Sequence, residues 1–363
     1  MLPKGGEVDV DMRQTPQAAA RYRIRSTNNT SPASRPDMEG WILFAQQAEE
    51  AGIESVLISF SRYEPDPFMV SCALGRATTK LKFIAACRSG LMQPTTLVQQ
   101  VNTLSALIEG RVALNIVAGS SMAEQRGFGD FLSHDDRYAR ADEFLAVCNS
   151  FWRAEDEVNF EGQYYRVERG KLHTPFLASD RIAPEVYVSG HSEAAERLAC
   201  AQGSCLLRVA DTPEKLQPLV ARIRRHGVEV CLRVCVLCRP TREEAFTVVE
   251  SLLPEHNVPD QARSISVKDD SQMYREASVS TNRGSNWMTR SLWTGLAPYY
   301  GPVWTALLGT PPEITEALLG YKAIGVTQFI MSGWPELEEV RVFGREVLPL
   351  VREAERRLEK NPV

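Results

Sequence analysis

The sequence predicts an α/β protein, a (β/α)8 barrel with insertions, and three observations support this fold class. Short apolar runs typical of strands alternate with segments whose apolar residues recur at helical spacing. These pairs follow one another at regular intervals, which is typical of parallel βα units. The chain has 363 residues, and barrels of this kind often exceed about 250 residues as a single domain.

Eight segments are predicted to be strands, beginning with a short run at 22–25. The others are 55–59, 82–87, 111–117, 185–189, 204–209, 228–237 and 326–331. Predicted helices lie between them at about 36–52, 66–77, 94–108, 136–152, 192–202, 212–226 and 311–324. Eight parallel strands fit either a closed barrel or an open doubly wound sheet. The barrel is favoured because the Gly-x-Gly-x-x-Gly fingerprint of a dinucleotide fold does not follow the first strand.

The domain organisation is predicted to be simple. Residues 1–20 are polar and irregular and form an N-terminal extension, whereas 21–363 form one barrel domain. The segment 157–175 alternates around a Glu-Gly turn like a surface hairpin. The segment 254–305 is rich in Ser, Asn, Asp and Arg, and we expect it to be an insertion that acts as a lid.

Composition and charge restrict the class of partner. Hydrophobic residues make up 44% and charged residues 24% of the chain, values typical of a globular protein. The formal charge of -5 and the isoelectric point near 5.7 provide no basic field for nucleic acid or for an anionic membrane. No apolar run is long enough to span a bilayer, and the N-terminus lacks the apolar core of a signal peptide. We therefore expect a cytoplasmic protein with a small-molecule substrate.

The eight cysteines lie mostly in apolar runs and without Cys-x-x-Cys spacing, which predicts buried, reduced thiols. Cys231, Cys235 and Cys238 are close in sequence. In an extended strand, however, Cys231 and Cys235 point to one face and Cys238 to the other. We therefore predict no metal site.

The end of the fifth predicted strand carries Ser189, Gly190, His191 and Ser192, just before a predicted helix. Hydroxyls and free backbone N–H groups at such a junction form a site for an anion. The alternative is that Ser192 only caps the helix. Earlier in the chain, His134 and Tyr138 are four residues apart and could share a helix face, although such a pair is usually solvated.

Arginines at strand ends indicate a negatively charged ligand, because a buried guanidinium needs an anionic partner. The candidates are Arg62, Arg208 and Arg233. The alternative is a set of structural ion pairs, for example with Glu64 or Asp66. Cys87 and Cys235 also lie on strands, but their apolar neighbours favour packed, inert thiols.

Several blocks of sequence agree in order and spacing with one family. They are SRPDMEGWILFAQQAEEAGIESVLIS, LKFIAACRSGLMQPTTLVQQVNTLSALIEGRVALNIVAGSS, DFLSHDDRYARADEFLAVCNSFWR, FEGQYYRVERGKL and GVTQFIMSGWPELEEVRVFGREVLPL. Over about residues 21–350 the chain resembles the bacterial-luciferase-like flavin monooxygenases, in particular the alkanesulfonate monooxygenases.

The resemblance implies a two-component enzyme. A separate NAD(P)H-dependent reductase would supply FMNH2, which reacts with O2 to form a flavin peroxide. By position, His134 and Tyr138 match family residues near the flavin phosphate, and the loop 189–192 matches the phosphate loop. Asn115, Ala118 and Gly119 match the floor beneath the flavin ring. We also expect a homodimer or homotetramer.

The substrate residues depart from the family pattern. Glu64 stands where the alkanesulfonate enzymes have a cysteine, and Cys235 replaces their histidine. Tyr300 falls at or near their lid arginine, Trp334 replaces a tyrosine, and only Arg233 keeps its type. The resemblance thus assigns the reaction centre to Arg233, Glu64, Trp334 and Tyr300, with Arg62, Arg208, Cys235 and Tyr299 around the substrate.

These departures predict a poor alkanesulfonate monooxygenase with a larger, partly apolar substrate. A sulfonate needs cationic or strongly donating partners, whereas Glu64 adds a negative charge if ionised. Two other functions remain open at this point. One is hydride transfer with a deazaflavin cofactor, which similar barrels use, and the other is flavin binding without turnover.

Overall fold

The computed structural model describes residues 37–62, 64–119, 121–154, 156–253, 286–297 and 301–360. They divide into two compact units. The first unit comprises Glu54–Leu207 and Arg225–Glu229, and the second comprises the described residues of Met1–Ile53, Arg208–Arg224 and Val230–Val363.

The helices are α1 (Met38–Glu50), α2 (Pro67–Arg76), α3 (Pro94–Leu107), α4 (Met122–Gly127), α5 (His134–Arg153), α6 (Glu193–Gln202), α7 (Pro213–Arg224), α8 (Arg242–Glu250), α9 (Pro311–Ala323), α10 (Glu336–Val342) and α11 (Leu348–Lys360). The strands are β1 (Ser55–Ile58), β2 (Lys82–Cys87), β3 (Val112–Val117), β4 (Val158–Glu161), β5 (Arg166–Gly170), β6 (Glu185–Ser189), β7 (Cys205–Val209), β8 (Glu229–Cys238), β9 (Leu292–Trp293), β10 (Ala306–Gly309) and β11 (Gln328–Ser332).

The first unit contains a parallel sheet in the order β1, β2, β3, β6 and β7. Helices connect most of these strands, so the predicted βα repeats are confirmed here. The core is built from β2 and β3, where Phe83, Ile84, Leu114 and Ile116 are fully or almost fully buried. Strands β4 and β5 form the predicted hairpin and pair antiparallel.

In the second unit β8 pairs in parallel with both β10 and β11. Strand β9 pairs antiparallel with β10. Neither β9 nor β10 was predicted, because both lie within or directly after the polar segment read as a lid. Residues 291–297 of that segment are buried, and Trp293 and Leu296 pack into a hydrophobic cluster with Trp304. Residues 254–285 and 298–300 lie outside the described part of the chain, so the lid stays a prediction.

The boundaries of the helices follow from local chemistry. Asp37 caps α1 by accepting a hydrogen bond from Gly40 N at 3.0 Å, and Asp66 caps α2 in the same way immediately before Pro67. Ser133 accepts a hydrogen bond from Asp136 N at 3.2 Å and so begins α5. Gly52 ends the α1 segment at a φ of 78°, a value that glycine adopts without strain.

The α/β class with parallel strands is confirmed. Predicted strands from residue 55 onward are observed with boundary shifts of at most two residues, whereas the predicted strand 22–25 and extension 1–20 lie outside the described residues. All eight cysteines are free, and six of them are buried, as predicted. Among the described helices, none has both the length and the hydropathy that a bilayer crossing requires.

Candidate active site

The turn from β6 to α6 carries the first group of predicted site residues. Ser189 is the last residue of β6, and Ser192 is the N-cap of α6. The Ser192 Oγ accepts a hydrogen bond from Ala195 N at 3.3 Å. The capping role is therefore confirmed, and it leaves the other N–H groups of the first helical turn free of intrahelical partners, as at any helix start. His191 lies half-buried between these two serines.

Gly190 occupies a position that no other residue fits. A Cβ atom there would lie 2.4 Å from the Ala195 Cβ and 2.6 Å from the Tyr138 hydroxyl. Real carbon contacts of this kind are longer than about 3 Å, so the backbone at Gly190 approaches α6 and Tyr138 more closely than a side chain would allow. The missing side chain at Gly190 thus lets Tyr138 and α6 pack closely against the backbone of the turn.

Tyr138 and His134 share one face of α5, as predicted. Their ring centroids are 5.0 Å apart with the planes inclined at 57°. Burial raises the pKa of the Tyr138 hydroxyl, and a hydrogen bond with Ser192 opposes this shift. The hydroxyl therefore stays protonated at neutral pH, and it lies 3.5 Å from the Ser189 carbonyl oxygen. Tyr138 and the 189–192 turn belong to one site.

The His134 ring is partly exposed beside that site. Its Nδ1 lies 2.8 Å from the Asp135 Oδ1. This hydrogen bond, together with the nearby imidazole charge, lowers the pKa of the exposed Asp135 carboxyl. The ring is therefore held by its neighbour on α5 while remaining accessible.

Asn115 on β3 joins the same group. The Ser189 Oγ donates a hydrogen bond to the Asn115 Oδ1 at 2.7 Å. The contact follows from the sheet register. Val117 of β3 lies opposite Ser189 of β6, and Asn115, two residues before Val117, is on the same face of the sheet. Two residues that the sequence assigned to different parts of a flavin, the ring floor and the phosphate loop, are thus directly bonded.

The segment Ala118–Gly119 is hydrogen-bonded by Arg137 and lies against Gln125, two residues that were not predicted for the site. Arg137 is buried on α5, where its Nε donates to the Ala118 carbonyl at 3.0 Å and its Nη1 to the Leu132 carbonyl at 2.8 Å. Gly119 has a φ of 84°, and a Cβ there would lie 2.7 Å from the Gln125 Nε2. Arg137 lies four residues before Ala141 and seven before Phe144, on the buried stripe of α5, and this spacing was the available sequence signal.

The loop after β1 carries Arg62 and Glu64. The Ser59 Oγ donates to the Glu64 Oε1 at 2.8 Å. The Arg62 backbone N–H donates to the Oε1 of Glu124 at 2.8 Å, and the Oε2 of the same carboxylate accepts from the Arg88 Nη2 at 2.5 Å. Glu124, on α4, was not predicted, although it ties together the loops that follow β1, β2 and β3.

Cys87 at the end of β2 is an inert thiol, as predicted. Complete burial, together with the charge of Asp66, raises the pKa of its thiol to about 12. A thiol of that pKa carries almost no thiolate at neutral pH and is a poor nucleophile.

In the second unit Arg208 and Arg233 are half-buried in β7 and β8. Within this unit Ala210, two residues after Arg208, donates from its backbone N–H to the Arg233 carbonyl at 3.0 Å. Cys235 is buried, and its Sγ donates to the Val303 carbonyl at 3.4 Å. Trp334 packs against the cluster that contains Cys235. Tyr299 and Tyr300 lie outside the described residues, so their roles stay predictions.

A buried ion pair lies at the end of β8. The Arg239 Nη1 donates to the Glu339 Oε2 at 2.6 Å, and its Nη2 donates to the Trp334 carbonyl at 3.2 Å. The Glu339 Oε1 accepts from Cys238 N at 2.8 Å. Burial raises the pKa of the Glu339 carboxyl to about 7, although Arg239 acts in the opposite direction. The pair fixes Trp334 relative to β8.

Solved structures with the same fold include one in complex with FMN and one in complex with an F420-acetone adduct. The chain is similar to the EDTA monooxygenase of Chelativorans sp. BNC1, at 18% identity and a TM-score of 0.73, covering 93% of this chain and 92% of that one. It is similar to the oxygenating constituent of 3,6-diketocamphane monooxygenase from the CAM plasmid of Pseudomonas putida, a type II Baeyer-Villiger monooxygenase in complex with FMN, at 20% identity and a TM-score of 0.64, covering 89% and 96%.

An F420-dependent secondary alcohol dehydrogenase in complex with an F420-acetone adduct also matches, at 20% identity and a TM-score of 0.64, covering 87% of this chain and 96% of that one. Likeness at such identities establishes the fold and not the substrate. The sequence itself matches the Luciferase-like monooxygenase family over residues 20–328. The chain therefore belongs to the luciferase-like monooxygenase family.

Proposed function

We propose that the protein is a monooxygenase that uses FMNH2, supplied by a separate flavin reductase, and O2 to oxidise a small organic substrate. The observation that carries this proposal is the turn from β6 to α6 with Tyr138 beside it. Family membership and a similar structure in complex with FMN support the choice of FMN.

The residues present fit a flavin phosphate. The N-terminus of the ten-residue helix α6 offers backbone N–H groups and the positive end of its dipole. The Ser189 hydroxyl already donates to Asn115. The hydroxyls of Ser192 and Tyr138 lie around the same turn, and the Gly190 backbone leaves no side chain in the way. These are the donors that hold a phosphate, with His134 as a further donor at the edge.

The ring of the flavin would lie over the Asn115, Ala118 and Gly119 backbone. The hydrogen bonds from Ser189 to Asn115 and from Arg137 to Ala118 fix that floor before a ligand arrives. When bound, reduced FMN supplies electrons for the activation of O2. The protein binds and orients the cofactor, and it keeps water away from the reaction.

The substrate is proposed to be something other than a simple alkanesulfonate. Glu64 accepts a hydrogen bond from Ser59, so its carboxylate is held in the loop after β1. If ionised, this carboxylate would place a negative charge beside a sulfonate and disfavour its binding. The roles of Arg233, Trp334, Arg208 and Cys235 rest on the resemblance to the alkanesulfonate enzymes and remain proposals.

Flavin titration tests the cofactor site. Replacing Ser192 with Ala removes a hydroxyl beside the phosphate, and we expect FMN binding to weaken by roughly 1–3 kcal/mol. Gly190→Ala should weaken it further, since its Cβ would displace Tyr138. Thr241→Ala is the matched control, because Thr241 caps α8 as Ser192 caps α6. Unchanged FMN affinity in Ser192→Ala would remove the phosphate assignment, and tighter binding of a deazaflavin would favour hydride transfer.

Turnover tests the reaction. With reductase, FMN and a short alkanesulfonate, we expect sulfite release far below the rates of about 1 per second or more that enzymes reach on their own substrates. Oxygen uptake that rises on addition of a candidate organic substrate would support the monooxygenase. Release of hydrogen peroxide that no substrate changes would instead favour a flavin-binding protein without turnover, and rapid sulfite release would overturn the substrate argument alone.

A further inference from the structure

Arg88 is a buried charge at the carboxyl end of β2, the sheet edge that also carries Ser189 and Ala118. It directly follows Cys87, the last residue of the strand, and is only 8% exposed. The guanidinium carbon lies 5.0 Å from the ring centroid of Phe60 and 5.6 Å from that of Phe128. The two rings offset part of the desolvation of this charge.

The hydrogen bonding of Arg88 is incomplete. Its Nη2 donates to the Glu124 Oε2 at 2.5 Å. The Nε and Nη1 atoms are buried as well, and neither finds an acceptor among the described residues. Buried donors without acceptors are rare and unfavourable. A guanidinium also stays charged in proteins, because it is not deprotonated there. Arg88 therefore has donor capacity left over for an acceptor that comes from outside the chain.

The neighbouring helix has the same imbalance. Gln125 on α4 is 2% exposed, and its Nε2 has no acceptor within the part of the chain that the structure describes. This Nε2 faces Gly119, in the segment proposed to lie under the flavin ring. Both residues lack acceptors rather than donors, so a ligand of either residue needs acceptor atoms.

The apolar side of this site is reachable. The Phe60 and Phe128 rings are 5.2 Å apart and inclined at 44°. Phe128 is 39% exposed and follows the C-terminal end of the short helix α4. The exposed Phe128 ring is therefore the side from which a ligand could reach the guanidinium. The apolar part of the ligand then lies against the phenylalanines.

We propose that Arg88 binds the carboxylate of an aryl carboxylate substrate, whose ring packs on Phe60 and Phe128. The inference rests on the proposed function, since it names the substrate class of that monooxygenase. A planar, singly charged carboxylate matches the nitrogen donors of one guanidinium. Glu124 limits the strength of the site, because its carboxylate already neutralises part of the Arg88 charge.

The test compares benzoate with benzamide, which differ in charge but not in ring. Each is titrated calorimetrically into the FMN-loaded protein. We expect benzoate to bind at least about tenfold more tightly than benzamide, as for a charged hydrogen bond. Arg88→Met should abolish this preference, whereas Glu124→Gln should strengthen benzoate binding because the competing carboxylate is gone. Arg126→Met is the matched control on α4, since Arg126 is exposed.

A purely structural Arg88–Glu124 pair gives the opposite pattern for Glu124→Gln. Weaker benzoate binding in that variant, or a preference for benzoate that survives in Arg88→Met, would overturn the proposal. If Arg88→Met does not fold, Arg88→Lys is measured instead and should reduce the preference without abolishing it. FMN affinity is recorded in the same samples. Normal FMN binding without a preference for benzoate would contradict the aryl carboxylate proposal but not the proposed function. Failure to bind FMN would contradict the proposed function itself.

Discussion

Arg88 and Arg239 are two arginines of nearly equal burial whose surroundings differ. Their side chains are 9% and 11% exposed, and each pairs with a glutamate, at 2.5 Å to Glu124 and 2.6 Å to Glu339. Arg239 also donates to the carbonyls of Cys238 and Trp334. Arg88 instead keeps two buried nitrogens without acceptors in the described residues.

The difference separates a structural arginine from a binding one. The partners of Arg239 come from β8, from the loop at Trp334 and from α10. The acceptors of its hydrogen bonds are therefore supplied by the protein itself. Around Arg88 the chain supplies one carboxylate and two aromatic rings. Burial alone therefore says little about the role of a charge, whereas the balance of donors and acceptors is informative.

The largest expected effect is on stability. Arg239→Met leaves the Glu339 carboxyl buried without its cation, and we expect the free energy of unfolding to fall by about 3–5 kcal/mol. Arg88→Met should cost about 1 kcal/mol, because it also removes two donors that lack acceptors. Urea unfolding of the two variants beside the wild type measures both values.

An equal fall in the free energy of unfolding in Arg239→Met and Arg88→Met would contradict the proposed difference between the two arginines. In that case Arg88 would be as well satisfied by the protein as Arg239 is. Arg126→Met serves as the control for removing an exposed arginine, and we expect it to leave the free energy of unfolding within about 0.5 kcal/mol of the wild type.

A smaller effect is expected from pH. Burial raises the pKa of the Glu339 carboxyl from 4.5 to about 7, with Arg239 opposing the shift and Glu338 adding to it. Between these values the folded protein holds a proton that the unfolded chain has lost. The free energy of unfolding should therefore fall by roughly 1–3 kcal/mol as the pH rises from about 4.5 to 7, and level off above that.

The measurement is chemical unfolding of the wild type and of Glu339→Gln across this pH range. The glutamine variant has no carboxyl to titrate, so its unfolding free energy should change less with pH. Parallel curves for the two proteins would mean that the Glu339 carboxyl titrates alike in the folded and unfolded states, and the raised pKa would then be wrong.

Local patterns predicted much of the fold and one half of the candidate site. The strands from β1 to β8 and β11 follow from short apolar runs, and the Ser192 cap follows from a serine placed between a strand and a helix. Strand β10 was missed because ALLG is only four residues long and directly follows a segment read as a lid. Glu124 and Glu339 were missed because their partners are distant in the sequence.

The sequence by itself determined the α/β class, the family and the turn from β6 to α6, since each depends on residues that are close along the chain. The tertiary structure decided which charged groups are satisfied. Arg239 and Glu339 are 100 positions apart, and Arg88 and Glu124 are 36 apart. A residue's type fixes how many hydrogen bonds it can donate, but only packing brings its acceptors within reach. The contrast between Arg88 and Arg239 is therefore a property of the folded chain alone.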